Sequence, residues 1–223
     1  MPVRPEPFVT DYIYHIFNRG VNRSTIFHNR QDYQRFYDTI EFYQLPTQPI
    51  KLSYFLKWPV TEKYKLLEAT QRDPNKYVSI YCYAFMPNHF HLLAKQLQDN
   101  GISEFMRKAQ NSFAKYENIR HERTGGLYEG PFRAVRVKTE NQLLHLSRYI
   151  HLNPYTSRVV PSLSKLHTYP WTSLPQYITG KTGICETRSL LSLFSSPKQY
   201  ERFISDHADY QRELNLIKHL ALE

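Results

Sequence analysis

The sequence predicts an α+β domain: a ferredoxin-like or RRM-like antiparallel sheet with helices on one face, followed by a small helical C-terminal tail. Three observations predict it. Strand and helix patterns succeed one another in the order β-α-β-β-α-β-α between residues 12 and 153. Two of the strands are separated only by Pro87-Asn88, a connection short enough for an antiparallel hairpin alone. Hydrophobic residues make up 41% and aromatics 15% of the 223 residues, with 18 Tyr and 13 Phe, which is enough to bury a core.

The run Tyr12 to Asn18 is β-branched and aromatic and reads as the first strand; Arg19 to Arg23 is a basic loop. Tyr33, Phe36, Tyr37, Ile40 and Tyr43 recur at helical spacing and predict a helix over Asp32 to Tyr43. Residues 46–76 read as an insertion, punctuated by Pro46, Pro49, Pro59 and Pro74, with short helices at Leu52 to Phe55 and Glu62 to Ala69. Tyr77 to Met86 and His89 to Gln96 form the expected hairpin. Ile102, Phe105, Met106, Ala109, Phe113, Tyr116 and Ile119 mark an amphipathic helix that ends before Thr124-Gly125-Gly126. Arg133 to Lys138 is a short strand. Glu140 to Asn153 is a helix with Leu143, Leu146 and Ile150 inward, expected to stop at Pro154. Beyond it, Ser189 to Phe194, Pro197 to His207 and Asp209 to Leu222 read as tail helices, and Trp171 as the anchor that packs the tail. The expected division is a domain over 1–158 and an extension over 159–223.

Composition narrows the function. Lys and Arg total 29 against 20 Asp and Glu, a net charge of +9, and the excess is densest over residues 101–153. Such a surface favours polyanions, nucleic acid above all. No apolar run approaches a membrane span, and the first ten residues lack the apolar stretch of a signal peptide. Cys82 and Cys185 are too few for a disulfide framework, so a cytoplasmic setting is expected. There is no Cys-x-x-Cys pair, no phosphate-cradling glycine loop and no Gly-x-Ser-x-Gly elbow.

Two segments carry chemistry. In His89-Phe90-His91, strand alternation puts both imidazoles on one face, where they can share a divalent metal; two ordinary strand histidines are the plainer reading. In Tyr149-Ile150-His151-Leu152-Asn153, helical spacing puts Tyr149 and Asn153 on one face, with His145 one turn earlier. A phenol beside a metal ligand suits nucleophilic attack on phosphate, and an interfacial Tyr149 with a helix-ending Asn153 before Pro154 is the plainer alternative. Arg19, Arg23, Arg107, Lys108, Lys115, Arg133, Arg136 and Lys138 are candidate nucleic-acid contacts, interleaved with aromatics, though charged solvent faces have the same composition.

Four segments taken together resemble the single-tyrosine HUH transposases, and among them the REP-associated tyrosine transposases. They are Tyr14-His15-Ile16-Phe17-Asn18-Arg19-Gly20, Met86-Pro87-Asn88-His89-Phe90-His91-Leu92-Leu93, Gly125-Gly126-Leu127-Tyr128-Glu129-Gly130-Pro131-Phe132-Arg133 and Tyr149-Ile150-His151-Leu152-Asn153-Pro154, in the family's order between Tyr12 and Trp171. The third block departs from the family at Gly126, where a histidine is usual, and at Pro131, where a basic residue is usual. The resemblance implies an enzyme that binds hairpin or single-stranded DNA, nicks it through a 5′-phosphotyrosine and can rejoin strands, with Mg2+ or Mn2+. On that pattern Tyr149 is the nucleophile, and His89, His91 and Asn153 hold the metal. It also implies a bacterial or archaeal cell and a monomer, with a homodimer that swaps the tyrosine helix as the alternative. A catalytically silent DNA- or RNA-binding protein and a metal-dependent RNA nuclease are the competing readings.

Overall fold

The computed structural model describes residues 7–48, 50–206 and 208–209. The strands are β1 (Ile13–Arg19), β2 (Val78–Met86), β3 (His89–Gln96) and β4 (Arg133–Arg136). They form one sheet in the order β2-β3-β1-β4, every neighbouring pair antiparallel. This is the strand order of the expected ferredoxin-like layer. The helices of the domain are α1 (Arg30–Phe42), α2 (Leu52–Phe55), α3 (Val60–Arg72), α4 (Gly101–Arg120) and α5 (Glu140–Thr156).

Strand alternation sorts the side chains into two layers. Tyr14 and Ile16 of β1 and Phe90, Leu92 and Ala94 of β3 face one core, which α1 and α4 close with Phe36, Ile40, Phe105 and Phe113. Leu93 points the other way, into a second core built on Ile150 and Leu152 of α5. The helices therefore occupy both faces rather than the one expected, because α5 and the tail supply a second layer. β2 serves both cores through a bulge: Ile80 pairs with Ala94 but Cys82 with Leu93, leaving Tyr81 extra. The bulge moves the first core's face from Val78 and Ile80 to Tyr83 and Phe85. All nine residues of β2 are buried, as a strand covered on both faces requires.

Two expectations change in detail. Pro154 lies within α5, which runs on to Thr156. The missing N–H sacrifices one helical bond, yet the proline φ is already helical, and Ser157 N donates to Asn153 O beyond it. The stretch 46–76 holds α2 where expected, but α3 spans thirteen residues instead of eight, Val60 to Arg72. Leu52 and Phe55 bury against Phe42 in a small satellite core, so the segment is attached to the end of α1.

The tail contributes α6 (Leu163–His167), α7 (Leu174–Thr179), α8 (Arg188–Leu191) and α9 (Pro197–Ser205). Leu166, Leu174, Tyr177, Leu190, Tyr200 and Ile204 complete the second core. Trp171 stacks on Tyr33 with ring centroids 5.0 Å apart, which is the anchoring role expected for it. The helix expected over Asp209 to Leu222 lies, after Asp209, outside the described residues. Among the described residues no helix is long and apolar enough to cross a membrane.

Candidate active site

The face of the sheet that carries Leu93 also carries His89 and His91, because all three alternate with Phe90 and Leu92. β1 lies beside β3 in a register that pairs Phe17 with His91 and Arg19 with His89. α5 crosses over this face. Its Ile150 and Leu152 enter the second core, while Tyr149 and Asn153, one turn apart, are turned towards the histidines. Phe17, Asn18, Arg19, Glu129, Arg133 and Tyr149 join His15, His89 and His91 around a cleft of ≈ 250 Å³.

Contacts within the cleft are direct. The Tyr149 ring stands edge-on to His91 with centroids 5.4 Å apart, and His89 is edge-on to His91 at 5.0 Å. Asn153 is buried, and its Nδ2 lies 3.4 Å from His91 Nε2. With the amide nitrogen placed there as a donor, the tautomer that satisfies both His91 contacts keeps the lone pair on Nε2 and the proton on Nδ1. In that tautomer Nδ1 faces the His15 Nε2 acceptor at 2.9 Å. His89 Nδ1 lies 2.6 Å from Asn88 Oδ1, which fixes the other ring and leaves its Nε2 uncommitted to that bond.

Burial keeps these rings neutral. Desolvation lowers His15 to about 4. Desolvation, with Arg19 nearby, lowers His89 to about 4. Desolvation, followed by His89, His15 and Arg19, holds His91 well below its ordinary value. All three therefore present unprotonated nitrogen at neutral pH, the state that metal ligation needs. Burial raises the Tyr149 phenol above its ordinary value, against which the Asn153 contact and Arg19 pull downward.

The sequence-derived candidates divide by place. Tyr149, His89, His91 and Asn153 converge, and Arg19 and Arg133 line the same cleft. Arg23 follows a tight turn, and its carbonyl accepts from Asn88 Nδ2 at 3.2 Å. On the outer strand, Arg136 stacks on Tyr12 at 3.5 Å, and the Lys138 N–H donates to Gln142 Oε1. The α4 group belongs elsewhere, on the helix that closes the opposite face. Arg107 pairs with Glu104 at 2.6 Å, Lys108 donates to the Pro46 carbonyl, and Lys108 and Lys115 border a separate groove with Arg35 and Arg120. His15 and Glu129 were not singled out individually from the sequence.

No family model matches the chain, and no curated protein matches it either. Among solved structures, one match is a REP-associated tyrosine transposase bound to a REP hairpin, with a TM-score of 0.55 and 13% identity. The alignment covers 82% of this chain and 90% of that one. The two share a fold. At this identity the likeness extends to the four-stranded antiparallel sheet and the helices around it.

Proposed function

We propose that the protein is a metal-dependent DNA nuclease and strand transferase of the single-tyrosine kind, acting on hairpin or single-stranded DNA. One observation carries the reading: a tyrosine and two neutral histidines meet in one cleft with a buried asparagine in contact with His91, from two elements far apart in sequence. The sharing of a fold with a transposase bound to a DNA hairpin supports it.

The donor set fits a divalent cation. His89 and His91 would hold it through nitrogen, and Asn153 through its amide oxygen once the amide turns from its present bond to His91. Bound there, Mg2+ or Mn2+ would polarise the scissile phosphate and stabilise the departing 3′-oxygen. The chain's own groups do the rest. Tyr149 Oη attacks phosphorus, the bond to the 3′-oxygen breaks, the phenol loses its proton and the 3′-oxygen gains one. The product is a 5′-phosphotyrosine and a free 3′-hydroxyl, and reversal of the step rejoins strands. Arg19 and Arg133 at the cleft supply positive charge for the DNA backbone. α5 packs over its own chain's sheet and brings Tyr149 to His91, the geometry a monomer acting in cis needs.

The test is a hairpin oligonucleotide with a single-stranded flank, incubated with Mg2+ or Mn2+ and resolved on a denaturing gel. A covalent protein–DNA band is expected. Tyr149→Phe removes it while retaining binding, and His89→Ala removes cleavage at every Mg2+ concentration. An adduct that persists in Tyr149→Phe places the nucleophile elsewhere. Binding without any cut by the native chain makes the protein a silent binder, and cleavage confined to ribonucleotide substrates makes it an RNA nuclease.

A further inference from the structure

A second cluster lies on the face of the sheet that α1 and α4 cover, opposite the Tyr149 cleft. His28 comes from the loop between β1 and α1. Glu117 and His121 come from the end of α4, four residues apart and so on one side of the helix. We propose that His28, Glu117 and His121 bind a transition-metal ion, Zn2+ by their chemistry, at a site separate from the one beside Tyr149.

Geometry and burial carry the proposal. One ligand atom from each residue falls within a sphere of mutual distances under 4.8 Å. His121 Nε2 lies 3.4 Å and His28 Nε2 3.8 Å from Glu117 Oε2. An imidazolium bonded to a carboxylate would stand closer, at about 2.7–2.9 Å. Nitrogen and oxygen ligands on a tetrahedral Zn2+, with bonds near 2.0–2.1 Å, stand about 3.3–3.4 Å apart. The His121–Glu117 spacing is that of two ligands on one ion, and the His28 nitrogen stands a few tenths of an ångström farther out, on the exposed side from which it would close on the ion.

The carboxylate is also unprovided for. Glu117 is 0% exposed, and neither of its oxygens has a hydrogen-bond partner. His121 Nε2 is likewise buried and without one. A buried, unpaired carboxylate is costly. Desolvation, then neighbouring Asp32, pushes Glu117 up to about 7. The nearby cations do not resolve this. Arg120 lies against Asp32 at 3.4 Å, and Arg123 adds charge near Glu117 without forming an ion pair with it among the described residues.

Asp32 is spoken for as well. Its Oδ2 accepts from the backbone of His28 and Asn29 at the start of α1, and its Oδ1 accepts from Tyr116. Two imidazoles and one carboxylate therefore form the donor set, with further positions open to water on the side where His28 is 40% exposed. That set suits Zn2+ better than Mg2+, which prefers oxygen. An ion here would tie the end of α4 to the loop whose Ile26 and Phe27 N–H groups donate to the Pro87 carbonyl, behind the turn that leads into His89.

The test is Zn2+ titration of the full chain after chelation and dialysis, in a His89→Ala background that disables the other site. One equivalent should still bind, and the thermal midpoint should rise with Zn2+. Co2+ in its place should give a tetrahedral spectrum. His28→Ala, which removes a partly exposed ring that packs on His121 at 4.5 Å, should weaken binding by more than about 100-fold, beyond what losing an outer partner costs. Glu117→Gln should do the same with almost no change in shape. Absence of Zn2+ binding in the His89→Ala chain overturns the proposal, as does binding that His28→Ala leaves unchanged.

Discussion

His15 shows how much of a site can rest on one residue outside the ligand set. Its Nε2 lies 2.9 Å from His91 Nδ1, and as acceptor there it holds the tautomer in which His91 Nε2 is the lone-pair nitrogen. Partners of this kind fix the tautomer and orientation of a metal-binding histidine. His15→Leu keeps the apolar bulk but removes the acceptor. Cleavage should then fall roughly 10- to 100-fold, with a higher Mg2+ or Mn2+ requirement, read from the cation dependence of adduct formation. The histidine pair was legible in the sequence, because period-2 alternation alone aligns His89 with His91. The role of His15 was not. Alternation puts it on a face of β1, but only the register, Phe17 opposite His91, brings that face to the same cleft. Register between strands more than 70 residues apart has no local signature.

α5 divides its work by side. Tyr149 and Asn153 face the cleft, whereas His151 points into the protein and is 0% exposed. His151 Nε2 lies 2.7 Å from Ser173 Oγ and Nδ1 lies 2.9 Å from the Tyr200 hydroxyl, which joins α5 to α7 and α9. His151→Ala should remove both bonds and leave a cavity, costing about 3 kcal/mol in urea unfolding. The helix and its inward face were readable from the spacing of Leu143, Leu146 and Ile150, but its end was not, because a proline can be tolerated when tertiary packing holds the turn around it. α1 offers a test by pH. Burial, with Asp38 beside it, pushes Glu41 up to about 8, at the helix end where negative charge is already unfavourable. Between the unfolded value near 4.5 and 8 the folded state holds more protons, so stability falls as pH rises through that window. Glu41→Gln should therefore stabilise by up to about 4 kcal/mol at pH about 8 and by almost nothing at pH about 4.5, read from urea midpoints.

At the scale of the whole molecule the sheet was foreseeable and its second covering layer was not. The strands announce themselves through Val, Ile, Tyr and Phe, whereas the tail is short helices separated by prolines, whose individual periodicity is weak. Its importance lies in what it covers. β2 is an edge strand, and an unpaired apolar edge invites association with other chains. The tail closes it: Phe85 N donates to Trp171 O, Ser173 N to Tyr83 O, and Glu186 N to Ile80 O. It also buries Leu166, Leu174, Tyr177, Leu190, Tyr200 and Ile204 against α5 and the outer face of β2. At about 1.5–3 kcal/mol for each apolar side chain, that burial is comparable to the ~5–15 kcal/mol net stability of an ordinary domain. A chain ended at residue 158 would carry every strand and both halves of the candidate active site, yet expose Cys82, Ala84 and Leu93 beneath a half-covered α5. Such a chain should bind a hydrophobic dye, associate through β2 and lose its cooperative unfolding transition. A sharp two-state transition from residues 1–158 alone would instead make the tail a separable addition, with the sheet stable on one layer of helices.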